Sequence, residues 1–373
     1  MSERVLQVLG SSAGGVARHV AQVTRALADD RDAGTVVHVA GPDDLAAVVA
    51  PQGSGAVFHA VPVADRPRAS DLEAVRRLRT LARGADVVHA HGLRAGALVV
   101  LAARSLPSGS RPRVVVTLHN LPVGGRAIRA VSAVLESVVA RGADVVLGVS
   151  GDLVERARSR GAREASRALV PAPPLPSPGR DRAQVRGALG VPDDVALLVT
   201  VARLAPQKGL DLLADGAALL ARDHGPGLLW VVAGDGPLAE PLQARIDGEH
   251  LPVRLLGRRS DVADLLAAAD VVVSTAVWEG QPIAVQEALQ LGAPVVATDA
   301  GGTREVTGDA AVLVPVGDAA RLAEVLAGIV SDPDRRAGLG RASRARAATL
   351  PQVADVLGQL RCVYGWDARP VDG

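Results

Sequence analysis

The carboxylates best suited to chemistry lie in one stretch, residues 271–300, which reads VVVSTAVWEGQPIAVQEALQLGAPVVATDA. Glu279 stands in a short loop after an apolar run, and Glu287 lies in the helix that is expected to follow. Pro282 suits the first helical position, where no backbone N–H is needed, and Gly292 suits the helix end. N–H groups at a helix start can bind a phosphate, and carboxylates can accept hydrogen bonds from sugar hydroxyls. This combination predicts a binding site for a sugar nucleotide.

A pair of basic residues follows another predicted strand, in the segment VARLAPQKG. Arg203 and Lys208 are five positions apart, and Lys208 is the only lysine among the 41 Lys and Arg residues. A lone lysine in an arginine-rich chain suggests that a compact, flexible ammonium group is wanted there. Both residues could clamp a diphosphate from one side. In the turn after the next strand, AGDGP, Gly234 and Gly236 would allow a close approach of the backbone.

Histidines are expected at the ends of strands in the first half of the chain. His89, His91 and His119 all fall at or near carboxyl ends, where open α/β sheets bind ligands. We favour a site role for His119, ahead of His91 and then His89. No acidic cluster accompanies the His-x-His pair, so the sequence predicts no metal site there. Near the N-terminus, Gly14 and Gly15 form part of a loop that can turn tightly against a ligand.

The elements that position these residues alternate between strand and helix, which is typical of a doubly wound α/β fold with parallel sheets. Strands are expected at residues 5–9, 35–41, 85–90, 113–118, 143–149, 196–202, 228–233, 253–256, 270–274 and 294–298. The segment Val170–Arg180, with five prolines, reads as a linker. We therefore predict two Rossmann-like domains, residues 1–172 and 181–350, that face each other across a ligand cleft. A final helix within residues 351–373 is expected to pack back on the first domain.

The helix that carries Glu287 can be oriented from its apolar positions. Ala284, Val285, Ala288 and Leu291 recur with helical spacing and are expected to face the sheet as one stripe. Glu287 would then lie on another side of the helix.

Composition limits the class of protein. The length of 373 residues suggests two domains, and 48% hydrophobic with only 1% aromatic residues predicts a core of Ala, Val and Leu. A net charge of +1 gives no electrostatic case for nucleic-acid binding, and the single cysteine, Cys362, excludes an internal disulfide. We see no signal peptide and no run of about 20 apolar residues, so a cytoplasmic protein is expected. Arginine-bearing helices leave a peripheral contact with the inner membrane face as an alternative.

Taken together, these motifs resemble the retaining glycosyltransferases of family four, whose GT-B fold has two facing Rossmann-like domains. The resemblance covers nearly the whole chain. It rests on the glycine loop AGGVARHV, the histidine of VVVTLHN, the segments VARLAPQKG and AGDGP, and the two glutamates near residue 280. The glutamate pair combined with the arginine and the lysine is the most specific feature.

The resemblance implies roles for individual residues. Arg203 and Lys208 would bind the donor diphosphate and stabilise it as the leaving group, without a metal ion. Glu279 would bind hydroxyls of the donor sugar, Glu287 would bind the ribose hydroxyls, and His119 would lie against the donor sugar near the reacting carbon. Catalysis would retain the anomeric configuration, with the leaving phosphate accepting the proton of the acceptor.

The remainder of the implied donor site is formed mainly by backbone. Gly14 and Gly15 would let the first domain approach the diphosphate or the acceptor, and the backbone around Arg258 would meet the base. Gly234 and Gly236 would border the nucleotide. After Glu279, relatives often have Gly-Phe-Gly, whereas this chain continues with Gly280, Gln281, Pro282 and Ile283. Because proline supplies no N–H, this difference affects the recognition of the donor sugar.

The expected ligands are a UDP-linked or GDP-linked sugar and an acceptor that the sequence leaves open among lipid, glycan and small molecule. No cofactor, metal ion or nucleic acid is expected, and the oligomeric state is not assigned. A sugar-nucleotide epimerase of the same architecture and a non-catalytic nucleotide-sugar-binding protein remain alternatives. A dehydrogenase would have to lack the usual G-x-G-x-x-G fingerprint.

Overall fold

A computed structural model describes residues 3–11, 14–30, 34–64, 66–121, 125–171, 175–224 and 227–366. The chain divides into two compact units, residues 1–173 with 351–373 and residues 174–350. Residues 12 and 13 of the glycine loop, residues 172–174 of the expected linker and the last seven residues lie outside the described ranges.

The first unit contains a seven-stranded sheet with helices between the strands. Its elements up to residue 167 are β1 (Arg4–Leu9), α1 (Gly15–Asp29), β2 (Val36–Gly41), α2 (Ala46–Val49), β3 (Val57–Ala60), α3 (Asp71–Ala82), β4 (Val87–His91), α4 (Leu93–Arg104), β5 (Arg113–Leu118), α5 (Arg126–Gly142), β6 (Val145–Gly148), α6 (Gly151–Ser159) and β7 (Ala165–Arg167). The strand order is β3-β2-β1-β4-β5-β6-β7, and all the pairings are parallel.

The second unit contains a six-stranded sheet. Its elements are α7 (Arg182–Leu189), β8 (Ala196–Val201), α8 (Leu210–His224), β9 (Leu228–Ala233), α9 (Ala239–Glu249), β10 (Val253–Gly257), α10 (Val262–Ala268), β11 (Val271–Ser274), α11 (Ile283–Leu291), β12 (Val295–Thr298), α12 (Thr303–Thr307), β13 (Ala311–Val314), α13 (Ala319–Val330) and α14 (Pro333–Ala347). The order β10-β9-β8-β11-β12-β13 is again parallel throughout. The predicted pair of doubly wound parallel sheets is confirmed.

The last helix, α15 (Val353–Tyr364), belongs to the first unit although it follows the second in sequence. It packs against α1 and β5. The Gln359 side chain accepts a hydrogen bond from the N–H of Leu169 at 2.9 Å and donates one to the carbonyl of Arg167 at 2.6 Å. These contacts attach α15 to the segment that follows β7.

Both cores consist of aliphatic side chains. Central strands such as β1 and β8 are buried along almost their whole length, as expected for parallel strands covered by helices on both faces. Trp230 is a buried aromatic exception, and its indole N–H donates to the Thr200 hydroxyl at 2.9 Å. Within the described ranges, no helix is both long enough and apolar enough to cross a bilayer.

The orientation expected for the helix after Glu279 is wrong in part. Helix α11 begins at Ile283, with Pro282 preceding it as the capping residue. Its buried residues are Val285, Gln286, Glu287, Ala288 and Leu289, whereas Ala284 and Leu291 are only half-buried. Helices α10 and α14 also pack against α11. The helix is therefore enclosed on more than its sheet-facing side, and a single-stripe pattern could not show this.

Candidate functional site

A small cavity lies where β8 and β11, neighbouring parallel strands, reach their carboxyl ends. Its volume is about 40 Å³, and its lining includes Lys208, Glu279, Pro282 and Ile283. The remaining walls are formed by the last residues of the two strands and the first turn of α11. Four of the residues expected in a donor site therefore come from two separate loops to one position, at the sheet edge where open α/β folds bind ligands.

Backbone contacts hold these two loops together. Lys208 ends a short 3₁₀ turn, Pro206–Lys208, and its carbonyl accepts a hydrogen bond from the Thr275 hydroxyl at 2.9 Å. The N–H of Val277 donates to the carbonyl of Gln207 at 2.9 Å. Gly209 follows with φ +60°, and a Cβ there would stand 2.0 Å from the Thr275 carbonyl oxygen. Only glycine allows this approach, which places Lys208 directly opposite Glu279.

Lys208 and Glu279 form an ion pair between Nζ and Oε1. The Lys208 side chain is 26% exposed and that of Glu279 only 10% exposed. The backbone of Glu279 is held separately, because its carbonyl accepts the N–H of Gly302 at 2.7 Å in the loop after β12. A cation and a carboxylate thus share one sheltered site, and each offers hydrogen-bonding capacity to a polar ligand.

The glycines of the AGDGP turn pack against the loop that carries Arg203. A Cβ on Gly234 would lie 1.8 Å from the Ala202 oxygen, and one on Gly236 would lie 2.3 Å from the Leu204 oxygen. The N–H of Leu204 also donates to the Asp235 carbonyl at 2.9 Å. Gly234 and Gly236 therefore allow a close approach of the AGDGP turn to Ala202 and Leu204, the two residues that flank Arg203.

The other expected donor-site residues of the second unit lie around this centre. Arg203 is exposed and, among the residues that the structure describes, its guanidinium has no side-chain partner. Arg258 is exposed just after β10, and Glu287 is buried in α11. Gly280 is buried in the same loop as Glu279, and the amide oxygen of Gln281 accepts a hydrogen bond from Gln286 at 2.7 Å. Arg203, Arg258 and Glu287 do not line the cavity, although Ala202, which precedes Arg203, does.

His119 belongs to the first unit, directly after β5, and is buried among other histidines. Its Nε2 lies 3.2 Å from Nδ1 of His91, and its ring centroid lies 5.6 Å from that of His19. Helix α1, which begins at Gly15, supplies His19, and Gly14 precedes the helix with φ +98°. The glycine loop and His119 are therefore linked through one turn of α1.

Burial keeps these histidines neutral near pH 7. Removal from water lowers the pKa of His89 to about 3, with a smaller contribution from His19, and lowers the pKa of His19 to about 4. The pKa values of His91 and His119 are also well below the ordinary value, first because of burial and then because of the neighbouring histidines. No group of three or more side chains arranged to hold a metal ion occurs in the part of the chain that the structure describes.

Four residues that contact these histidines are not predicted from the sequence. Gln7 bonds to His91, Thr117 and Tyr364 bond to His89, and the ring of His19 packs against those of His91 and His119. The available signal was Gln7, a polar residue inside the apolar strand RVLQVL. In the parallel register Gln7 stands beside His89. A polar side chain in a strand buried on both faces needs a partner, so Gln7 could have been paired with the histidines of β4 had the strand order been known.

Because these histidines are neutral in the folded protein, we expect its free energy of unfolding to fall already at mildly acidic pH. Below pH 6.5 the unfolded chain binds protons at these residues while the folded chain does not, so the free energy of unfolding falls as pH falls from 6.5 towards 4. Each histidine contributes up to about 1.4 kcal/mol per pH unit in that window. Urea unfolding midpoints at pH 6.5, 6.0 and 5.5 measure this slope.

Two variants make the measurement specific. His19 is buried and its Nδ1 has no hydrogen-bond partner within the described ranges, so His19→Leu should fold and should give a shallower slope. His250 is exposed with φ +51°, which asparagine tolerates, and His250→Asn should keep the wild-type slope. Equal slopes in all three proteins would contradict the assignment.

Comparison with known proteins agrees with the two-unit architecture. Residues 14–173 match the model of the glycosyl transferase 4-like domain, and residues 181–346 match that of glycosyl transferases group 1. The chain is similar to the crystal structure of Anabaena HepE in complex with UDP, with a TM-score of 0.79 and 21% identity over 98% of this chain and 100% of the other. Sucrose-phosphate synthase from Thermosynechococcus elongatus gives a TM-score of 0.79 at 19% identity over the same shares. These likenesses confirm the expected GT-B fold.

Two of the curated relatives are glycosyltransferases by name. The chain is 32% identical over 182 residues to a GDP-mannose-dependent monoacylated alpha-(1-6)-phosphatidylinositol monomannoside mannosyltransferase of Corynebacterium glutamicum, and this alignment covers 46% of the chain and 47% of the relative. It therefore spans about half of that protein's length. The chain is also 30% identical over 316 residues, 75% of its length and 72% of the relative's, to D-inositol 3-phosphate glycosyltransferase 1 of Catenulispora acidiphila. The chain belongs to the family-four glycosyltransferases.

Proposed function

We propose that this protein transfers a sugar from a nucleotide diphosphate sugar to a hydroxyl group of an acceptor, with retention at the anomeric carbon. The observation that carries the proposal is the convergence of Lys208, Glu279, Pro282 and Ile283 on one cavity at the carboxyl ends of β8 and β11. A cation beside a sheltered carboxylate suits a ligand that combines phosphate with sugar hydroxyls.

In the proposed reaction, the bond between the anomeric carbon and the diphosphate oxygen breaks, and a bond from that carbon to the acceptor oxygen forms on the same face. The proton of the acceptor hydroxyl passes to the leaving phosphate. Lys208 exchanges its partner Glu279 for a diphosphate oxygen and, with Arg203, stabilises the negative charge that develops there. Glu279 is then released to accept a hydrogen bond from a hydroxyl of the donor sugar. No metal ion and no protein nucleophile take part.

The remaining donor contacts are proposed from the resemblance to family four. Glu287 binds the ribose hydroxyls, backbone near Arg258 meets the base, and His119 lies against the donor sugar. UDP and GDP are both candidates for the nucleotide, because the HepE structure contains UDP and the corynebacterial relative is named for GDP-mannose.

A thermal-shift panel of UDP, GDP, ADP and their sugars, with EDTA present, tests the proposal. At 100 times the dissociation constant a ligand stabilises its protein by about 2.7 kcal/mol, which is roughly 5–10 °C for a domain of this size. We expect one nucleotide to give such a shift and the matching nucleotide sugar to support transfer at an unchanged rate in EDTA. A strict requirement for a divalent ion would contradict the mechanism. Binding without turnover on any acceptor would indicate a non-catalytic nucleotide-sugar-binding protein.

A specific surface of the first unit also supports a peripheral membrane contact. Ile128, Val131 and Val134 on α5 are 49%, 45% and 63% exposed, and Leu101 on α4 is 52% exposed. Val134 also lines a groove of about 830 Å³ whose other lining residues include Arg104, Arg111, Arg141, Arg160 and Arg163. Acidic side chains pair with Arg104 and Arg160, whereas the other three arginines have no acidic partner among the described residues. We infer that this surface binds anionic lipid bilayers.

Sedimentation with vesicles tests this contact. Binding to vesicles that contain phosphatidylglycerol should exceed binding to pure phosphatidylcholine, fall with salt, and weaken about fivefold for Arg141→Ser, because each surface arginine contributes about 1 kcal/mol. Val134→Glu should weaken binding further. Leu72→Glu, at a position on α3 that is 59% exposed and outside the patch, is the matched control. Equal binding to neutral and anionic vesicles would exclude the contact.

A further inference from the structure

A row of polar side chains crosses one face of the first sheet beneath the C-terminal helix. Gln7 stands beside His89 in the β1–β4 register, and His91 stands beside Thr117 in the β4–β5 register. His89 and His91 are two positions apart on one strand, so their side chains share a face. All four are at most 2% exposed. Tyr364 of α15, 4% exposed, brings a hydroxyl to the same face.

These groups form one continuous chain of hydrogen bonds that ends at His119. His119 Nε2 lies 3.2 Å from His91 Nδ1, and His91 Nε2 lies 2.8 Å from the Gln7 amide oxygen. The Gln7 amide nitrogen donates to the Tyr364 hydroxyl at 3.0 Å. That hydroxyl lies 2.7 Å from His89 Nδ1, and His89 Nε2 lies 2.7 Å from the Thr117 hydroxyl.

The chemistry of the amide sets the direction of this chain. A carbonyl oxygen only accepts, so the Nε2 of neutral His91 must carry the hydrogen that meets Gln7. His91 Nδ1 then has a lone pair, which requires His119 to donate from Nε2. Beyond Gln7, the Tyr364 hydroxyl accepts from the amide and can donate its own hydrogen to His89. Every group then donates to the next from His119 to Thr117, and such chains strengthen cooperatively.

We propose that Gln7 and Tyr364 are positioning residues that hold His119 in the tautomer with hydrogen on Nε2, leaving the Nδ1 lone pair to accept a hydrogen bond from a substrate hydroxyl. The inference rests on the proposed function for the substrate, whereas the tautomer follows from the hydrogen-bond chain with the Gln7 amide oxygen facing His91. Turning the Gln7 amide by 180° would reverse each bond of the chain and convert His119 Nδ1 from an acceptor into a donor. A phenol hydroxyl is a stronger donor than an imidazole N–H, and an imidazole nitrogen is a stronger acceptor than a phenol oxygen. The O–H···N bond from Tyr364 to His89 therefore favours the orientation in which the Gln7 nitrogen faces Tyr364.

The tautomer can be read directly in the full-length protein labelled with ¹⁵N-histidine. Long-range ¹H–¹⁵N correlation spectra at pH 7 distinguish the two neutral forms, and the signals of His119 are assigned from those missing in His119→Asn. We expect the Nε2–H pattern in the wild type. In Tyr364→Phe the Gln7 amide loses the partner that orients it, so we expect the His119 pattern to change to a mixture of tautomers.

Cys362→Ala is the matched control, because Cys362 lies on the same helix and is exposed. Its histidine spectrum should equal that of the wild type. For sugar transfer, Tyr364→Phe should lower kcat about tenfold and should change KM for the donor less. The free energy of the one hydrogen bond that is lost corresponds to about a tenfold change in rate.

The outcomes separate the two proposals. An Nδ1–H pattern for His119 in the wild type would overturn the proposed direction of the hydrogen-bond chain, even if Tyr364→Phe failed to fold. An unchanged pattern in folded Tyr364→Phe would overturn the role of Tyr364. If the protein gave the expected spectra but transferred no sugar, the proposed hydrogen-bond chain would stand and the proposed function would be rejected.

Discussion

Replacing Lys208 by alanine is expected to lower kcat for sugar transfer by about 100- to 1,000-fold, the usual effect of removing one group that stabilises developing negative charge. Lys208 is the cation nearest to Glu279 in the cavity at the ends of β8 and β11. Without Lys208, only Arg203 would remain of the two cations proposed to stabilise the charge that develops on the leaving diphosphate. Initial rates with a saturating nucleotide sugar measure the change, and circular dichroism checks that the variant is folded.

The structure adds a condition to this experiment. Because Lys208 and Glu279 are ion-paired, Lys208→Ala leaves a carboxylate with 10% exposure without its cation. We therefore compare the losses of kcat/KM, expressed as free energies, in a double-mutant cycle. The sum of the losses in Lys208→Ala and Glu279→Gln should exceed the loss in the double variant. Arg321→Ala is the matched control, since Arg321 pairs with Glu324 on the exposed side of α13 in the same unit. Wild-type kcat/KM in folded Lys208→Ala would reject the assignment of the site.

The second large effect concerns the close contact that places Lys208. Gly209→Ala is expected to reduce the free energy of unfolding of the second unit by about 3 kcal/mol or more, from the left-handed backbone and from overpacking together. The new Cβ would stand 2.0 Å from the Thr275 carbonyl oxygen, and backbone at that distance must move. The movement separates the 206–209 loop from the loop of Glu279, so transfer should fall as well.

Gly190→Ala separates the two causes. Gly190 has φ +65°, close to the +60° of Gly209, but a Cβ there meets no atom within 4 Å. Its substitution should cost only about 1 kcal/mol, the strain of the left-handed conformation alone. Urea unfolding followed by tryptophan fluorescence measures both, because Trp230 and Trp278 lie in this unit. Equal destabilisation by the two substitutions would show that the Thr275 contact does not restrict the loop.

The arrangement of the polar groups in the first unit illustrates how non-local contacts decide a site. The sequence favours His119 over His91 and His89 for a site role, because a histidine at a strand end is often an ordinary hydrogen-bonded neighbour. In the structure they form a single chain with Gln7, 84 positions from His91, and with Tyr364, 275 positions from His89. No local pattern relates such distant residues. Their meeting depends on β1 lying between β2 and β4 and on α15 returning to the first unit.

Local sequence by itself determined ten of the thirteen strands in the described ranges, the alternation with helices and the parallel α/β class, because apolar runs and turn residues act over a few neighbouring positions. The three strands that it missed, β3, β7 and β13, are short strands at sheet edges. It also determined the family, through short motifs whose spacing survives without knowledge of the fold. Only the tertiary structure decided that Lys208 pairs with Glu279, that Leu289 rather than Leu291 is buried in α11, and that Tyr364 reaches the histidines. Each of these depends on which strands and helices become neighbours, and that is set by packing between segments far apart in the chain.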